Sequence, residues 1–506
     1  MKKITLSLIA ALSLGIASCS MDKTPYDAID ESKALESVND FKNMRIGLYS
    51  ALRTLTSGGY VTISEIQCDN FNAVVGYSNT NGDIHRWQFT SNTSNFASIY
   101  SGYQSLIARA NFIITNQGQL NKEFLDEKDL AFVDKVLGEA YFMRAYCIFQ
   151  LAQYFCNAYD EQTASKPNSG VSYSLKYAPS ADPSTYPGRK TLKETYTQIG
   201  LDIEQAKALI NVDGEAASSY ITNDVITALE ARIALAQKKY KEAADLAVSV
   251  INTGNYALCS DADAIKAMWH DDGTGETILQ IPIPSKNELC GQNGIRFLPY
   301  QDGSVPDYIP TKEFIQLFDA KDYRLASYFT NYNMSTTSGA SGVAVLFNKY
   351  TDHSALWDAL GQSEDGRFMS EPKPFRIAEM YLIAAEGYAM AETPNQELAT
   401  KYLNDLKSNR IADYTETQFA SINSLMSEIK NERRRELACE GFRLLDLKRW
   451  NEGVVRGEPQ NIDFCLFPGS AATTALKKSA SDPRMTWPIP LTEMDSNPQM
   501  HQNDGY

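Results

Sequence analysis

The sequence predicts a mainly α protein in which paired antiparallel helices form a scaffold that carries large irregular loop insertions and a few short strands. Three observations carry that prediction. Small and apolar residues recur at helical spacing in several separate stretches. Those stretches come in twos joined by short turns, most clearly in TNDVITALEARIALAQKKYKEAADLAVSVINTGNY. The segments between them are long, rich in turn-forming residues, and follow neither the helical nor the strand period.

Taken in order, residues 40–55 space Phe41, Met44, Leu48 and Leu52 along one helical face. Residues 57–99 read as a loop-rich insertion, GGYVTISEIQCDNFNAVVGYSNTNGDIHRWQFTSNTSN, whose polar background carries Tyr60, Phe71, Tyr77, Trp87 and Phe89. Ordered polar loops of this length are commonly functional. Helical spacing returns over residues 100–156, in IYSGYQSLIARANFIITN and DKVLGEAYFMRAYCIFQLAQYF. Residues 191–256 hold the pair quoted above, with Ala228, Ala231 and Leu235 on one helix, Ala243, Ala247 and Val250 on the next, and the turn at Lys238–Tyr240. Small residues there let two helix axes approach closely, and their offsets resemble those of a tetratricopeptide (TPR) hairpin. A related pair spans 375–410 (RIAEMYLIAAEGYAMAE, then NQELATKYLNDLKSNR), and a further helix is predicted over 425–450. The irregular period predicts a TPR-like scaffold with insertions rather than an open solenoid. The other loop-rich insertions cover 257–310 and 330–372; TILQIPIP is strand-like, but its prolines confine it to an edge or a strand end.

The chain begins MKKITLSLIAALSLGIASCSMDK, with Lys2 and Lys3 before about a dozen apolar or small residues. That is the layout of a secretion signal, too short for a permanent membrane span. Ile16-Ala17-Ser18-Cys19 resembles the lipobox of bacterial lipoproteins, which predicts a signal peptide over residues 1–18, lipidation of Cys19, and a single tethered domain over 19–506. The alternative is an ordinary signal peptide with a chance cysteine. The formal net charge is −15, and becomes −17 when Lys2 and Lys3 leave. That argues against the basic footprint of a nucleic-acid binder and against a polybasic membrane contact. Seven further cysteines are scattered (Cys68, Cys147, Cys156, Cys259, Cys290, Cys439, Cys465), an odd number without a C-x-x-C pair, and the four histidines lie far apart. They read as small buried hydrophobes rather than a disulfide framework or a zinc site. No cofactor and no metal are predicted.

Four pieces, in order, resemble the SusD/RagB family of outer-membrane nutrient-binding lipoproteins across nearly the whole chain. They are the lipobox, VLGEAYFMRAYCIFQLAQYF, RIAEMYLIAAEGYA, and NERRRELACEGFRLLDLKRW with the tail WPIPLTEMDSNPQMHQNDGY. The resemblance implies a SusD-like architecture, with four TPR-like helix pairs supporting a loop-built binding surface. It also implies a lipid-anchored outer-membrane protein facing the cell surface. Such a protein captures an oligo- or polysaccharide without catalysis and partners a SusC-like TonB-dependent transporter, which it covers like a lid.

A neutral glycan offers apolar C–H faces, met by exposed aromatic rings, and hydroxyls, met by amides and carboxylates at the ring edges. Such groups work best on loops held by a rigid base. Trp87 with Tyr77, Asn79, Asn81 and Asp83 supplies that mixture. Tyr300, beside Gln301 and Asp302, and Trp357 are further candidates; packing is the competing reading for these, and for Trp269. The densest charged run, NERRRELACEGFRLLDLKRW, could supply paired carboxylates for acid–base work. Its spacing instead predicts a structural helix with i,i+3 pairs Glu432–Arg435, Arg433–Glu436 and Asp446–Arg449, and Leu437, Leu444, Leu445 and Trp450 toward the core. DDGTGE has neither P-loop nor EF-hand spacing and reads as a turn. Two rival functions stay open: peptide capture, as on the RagB side of the resemblance, and a surface glycoside hydrolase, which needs two carboxylates across a cleft, one with a raised pKa.

Overall fold

The computed structural model describes residues 33–76, 79–273, 275–292, 294, 306–351, 354–362, 367–465 and 476–506. The predicted signal segment, Cys19, Tyr77 and Tyr300 lie outside them. Helices form the frame, as predicted. Val38–Leu55 opens with a capping box, in which the Asp40 carboxylate accepts from the Ser37 N–H at 2.8 Å and the Ser37 hydroxyl accepts from the Asp40 N–H. Ser94–Asn116 packs on the 29-residue helix Glu127–Phe155, which in turn packs on Leu192–Leu209. Asn223–Ala236 pairs with Tyr240–Ile251, and Ile377–Met390 lies between Tyr240–Ile251 and Gln396–Ser408. The alanines expected at these seams, Ala228, Ala231, Ala243 and Ala247, are fully buried. At Gly387 a Cβ would stand 2.5 Å from the Tyr240 carbonyl oxygen, so only glycine lets these two helices meet so closely.

The insertions are more structured than the sequence suggests. Residues 57–99 contain the helix Gly59–Gln67 and the strand Phe71–Ala73, which pairs antiparallel with Tyr308–Pro310. Polar composition misleads here because the polar groups are used inside: Gln67 donates to the Arg484 carbonyl at 2.9 Å and accepts from the Trp487 indole at 2.7 Å. Residues 257–310 hold the helix Ala262–His270. Residues 330–372 hold most of the hairpin Phe329–Ser335/Ser341–Phe347 and the helix Ala355–Ala359. Of TILQIPIP only Thr277–Leu279 is strand; it pairs with Phe375–Arg376 and stops before the prolines. One hydrophobic cluster runs from Leu35 to Met500. In it Trp487, from the tail, stacks on Tyr154 with ring centroids 4.3 Å apart. The seven described cysteines are buried and unpaired.

Candidate functional site

The polar stretch after Phe71–Ala73 turns through two asparagines at positive φ, Asn79 (60°) and Asn81 (52°), a conformation that asparagine tolerates better than most residues. The short helix Gly82–His85 follows, with Ile84 and His85 turned inward as anchors. Asn79, Asn81 and Asp83 therefore share one accessible edge with Arg86 and Gln88. Arg86 donates through Nη1 to the Asn79 amide oxygen at 2.9 Å and through Nε to Gln88 at 3.1 Å. Asn95 donates to the Asn81 amide oxygen at 3.2 Å, and Thr93 donates to the Asp83 carboxylate at 3.2 Å. Below, the Tyr308 hydroxyl donates to the Thr80 carbonyl and ties the turn to the neighbouring strand. The Asn81 amide nitrogen and the outer Asp83 lone pairs keep hydrogen-bonding capacity toward solvent, a donor and an acceptor side by side for adjacent hydroxyls.

The tryptophans expected as stacking platforms are not on that edge. Trp87 is 3 % exposed, and its indole N–H donates to the Gln67 carbonyl at 2.8 Å. Its backbone takes φ 58°, and the side chain packs inward beside Phe89. This corrects the expectation of an exposed ring: the Asn- and Ser-rich neighbours mark a turn, and the turn reverses which way the tryptophan faces. Trp357 is likewise buried at 8 %, with the Arg367 guanidinium 5.7 Å from its ring. Trp269 is buried under the Lys349 ammonium, 4.1 Å from its ring centre. Tyr77 and Tyr300 lie outside the described residues.

The charged run is structural, but only two of its three predicted i,i+3 pairs form. Glu432–Arg435 and Asp446–Arg449 form, whereas Arg433 reaches Asp446 at 2.8 Å and Glu436 turns to other segments. Glu436 receives Arg324, Arg376 and Arg410, each at 2.9 Å. Arg376 also holds Glu276 (2.6 Å) and Glu440 (2.5 Å), and Arg410 holds Glu276 at 2.9 Å. Burial would raise these carboxyls, but the guanidinium groups outweigh it: Glu432 is held at about 2 and Glu436 well below the usual carboxylate range. Such groups stay ionised and bonded, the opposite of a general acid. Glu276, Arg324 and Arg410 were not anticipated. Glu276 sits in DDGTGE, read as a turn, and no local pattern marks it as the partner of an arginine 100 residues away.

A model described as the SusD family matches residues 235–506. A second, described as "Starch-binding associating with outer membrane", matches residues 21–235. SusD-like protein P38 of Formosa agariphila is 22% identical over 549 residues, covering 100% of this chain and 99% of its own length. Among solved structures, a putative sugar binding protein from Bacteroides vulgatus superposes with a TM-score of 0.75 at 24% identity, covering 94% of this chain and 99% of that one. A SusD superfamily protein from Bacteroides thetaiotaomicron gives 0.74 at 22% identity, with coverages of 92% and 99%. At these identities the structural likeness establishes a shared fold.

Proposed function

This chain belongs to the SusD family, and on that premise we propose that it is a non-catalytic glycan-binding lipoprotein of the outer membrane that delivers oligo- or polysaccharide to a SusC-like TonB-dependent transporter. The observation that carries the reading is the amide and carboxylate edge at Asn79, Asn81 and Asp83, mounted on a rigid helical frame. Hydrogen bonds from that edge orient sugar hydroxyls, and Tyr77 and Tyr300 are the proposed stacking faces in place of the buried Trp87 and Trp357. Lipidation of Cys19 supplies the tether, and among the described residues no helix is long and apolar enough to cross a membrane. The hydrolase reading needs a raised carboxyl facing a second carboxylate across a cleft; Glu230, raised by burial, lines a crevice with Glu204 and Glu242 but is already paired with Lys207 at 3.1 Å. Among the carboxyls that burial raises, Glu65, at about 7, is fully buried and accepts the Gly441 N–H at 3.2 Å.

Affinity electrophoresis of the mature chain through gels loaded with plant, host and microbial polysaccharides tests this. One class retards the protein, Tyr300→Ala and Asn81→Ala each weaken the retardation, and Trp87→Phe leaves it intact. Migration unaffected by every polysaccharide, together with capture of peptides, would transfer the protein to the RagB-like reading.

A further inference from the structure

The described chain enters the helical frame at one end of it. It begins at Lys33, and Leu35 is fully buried, its N–H donating to the Gln119 side chain at 3.1 Å. The helix Val38–Leu55 starts three residues later and packs along Glu127–Phe155. Residues 20–32 separate Cys19 from this point, a span of at most about 50 Å at full extension. A lipid on Cys19 therefore keeps this end of the molecule within that distance of the membrane.

That end carries a strip of apolar side chains interleaved with cations. Lys42, Arg45 and Ile46 share one face of Val38–Leu55. The Lys42 ammonium and the Arg45 guanidinium stand 5.9 and 5.7 Å from the Phe132 ring on the neighbouring helix. Arg45 also lies 3.7 Å over the Tyr220 ring, and Lys135, one turn beyond Phe132, is 5.7 Å from that same ring. The strip therefore runs Lys42, Phe132, Arg45, Tyr220, Lys135, with Ile46 beside it. Ile46 is 65 % exposed and Tyr220 44 %, and Phe132 is half-buried. Arg45 is matched by the buried Glu139 at 2.6 Å. Lys42 and Lys135 form no ion pair among the described residues; the exposed Glu215 acts on Lys135 without pairing with it. The chain as a whole is acidic, but this strip is basic and apolar together. That combination fits the boundary of a bilayer, where rings and alkyl chains enter the headgroup layer and ammonium groups meet lipid phosphates. The tether raises the local concentration of lipid, so a weak contact suffices.

We propose that this strip lies on an anionic lipid surface beside the anchor, with Ile46, Phe132 and Tyr220 at the headgroup layer and Lys42 and Lys135 on lipid phosphates, so that the contact, and not the linker alone, sets the orientation of the domain. The contact rests on the reading of Cys19 as lipidated, which mass spectrometry of the membrane-extracted protein checks separately. The lipidated chain is reconstituted into vesicles of phosphatidylcholine and phosphatidylglycerol in equal parts, with an environment-sensitive fluorophore on Ile46→Cys; the seven described cysteines are buried and do not compete for the label. The fluorophore shifts to the blue and is quenched by brominated lipid. The same label on Val343→Cys, a position 61 % exposed on the hairpin Phe329–Ser335/Ser341–Phe347, does neither. In the Cys19→Ala chain, which lacks the anchor, co-sedimentation with these vesicles is weak but measurable. Lys42→Gln and Lys135→Gln each reduce it about fivefold, Ile46→Ser reduces it about tenfold, and Glu215→Gln increases it. Thermal melts of the four variants match the parent, which separates a lost contact from a lost fold. An unacylated Cys19 overturns the anchor and this contact together. Acylation with an unquenched Ile46 label, or with equal quenching at Ile46 and Val343, overturns the contact alone. An Ile46 label shielded only when a transporter protein is added also overturns it and makes the strip a protein interface.

Discussion

Arg376 and Arg456 are both buried cations, and the protein accommodates them in different ways. Arg376 belongs to a network with Arg324 and Arg410, in which Glu276, Glu436 and Glu440 take direct ion pairs. Burial acts to lower these guanidinium groups, but the carboxylates more than reverse it, and Arg324 and Arg376 lie well above the ordinary arginine value. Arg456 has no carboxylate within ion-pair reach among the described residues. It donates to the carbonyl oxygens of Ile66, Gln67, Cys68 and His85, at 3.3, 3.4, 2.9 and 3.1 Å, closing the C-terminal end of the helix Gly59–Gln67. Desolvation lowers it to about 10 and, together with the adjacent guanidinium, keeps His85 well below its usual value and so neutral. Lys448 does the same for the helix Glu127–Phe155, donating to the carbonyls of Gln153 and Cys156 at 2.6 and 2.9 Å, and is lowered to about 8.

The difference teaches what each arrangement is for. Carboxylate pairing clamps segments that are distant in sequence, because Glu276, Arg324, Arg376, Arg410 and Glu436 come from five separate parts of the chain. Carbonyl pairing finishes one helix locally, where the dipole and the unpaired carbonyls already favour a cation. Only the first depends on carboxylate acceptors; Arg456 also reaches the His85 ring at Nε2, 3.2 Å away.

The largest expected effect follows from breaking the clamp. Arg410→Met leaves Glu276 and Glu436 short of a partner in the interior and costs about 3–5 kcal/mol in urea denaturation. Acid probes the same region. Glu432 is held at about 2, below its ordinary 4.5, so its contribution is complete above pH 4.5 and is lost as pH falls through about 2. That contribution is about 3 kcal/mol, and Glu432→Gln flattens this acid limb. Glu65, on the helix that Arg456 closes, has the opposite sign. Burial raises it to about 7, so the folded state keeps a proton that the unfolded chain releases, and stability falls by about 3 kcal/mol as pH rises from 4.5 to 7. Glu65→Gln removes that slope.

Arg456→Met tests the carbonyl arrangement and costs about 1–3 kcal/mol, and it leaves the Glu432 acid limb near pH 2 unchanged. A loss as large as that of Arg410→Met would erase the distinction between the two regions. The smallest effect is at Trp87→Phe, about 1 kcal/mol, because the Gln67 carbonyl that loses the indole still accepts from Arg456.

How much of this was legible in the sequence follows the range of the interaction. The helix pairs were readable because Ala228, Ala231, Ala243 and Ala247 repeat at a local period and pack where that period places them. Leu437 and Leu444 were readable for the same reason. The Arg433–Glu436 pair was not: both residues have alternatives on neighbouring helices that bond better than the i,i+3 rung. Trp87 was misread because its polar neighbours report the chemistry of a turn, not the direction of a side chain at φ 58°.

By itself, the sequence determined the mainly α class, the seams between paired helices, the family, and the polar composition of the turn that holds Asn79, Asn81 and Asp83. Periodicity, composition and turn chemistry act within a few residues of one another and can be read along the chain. Only the tertiary structure decided which cation meets a carboxylate and which a helix end, and which aromatics are buried. Those outcomes depend on competition among groups brought together from segments 100 residues or more apart, such as Glu276 and Arg376.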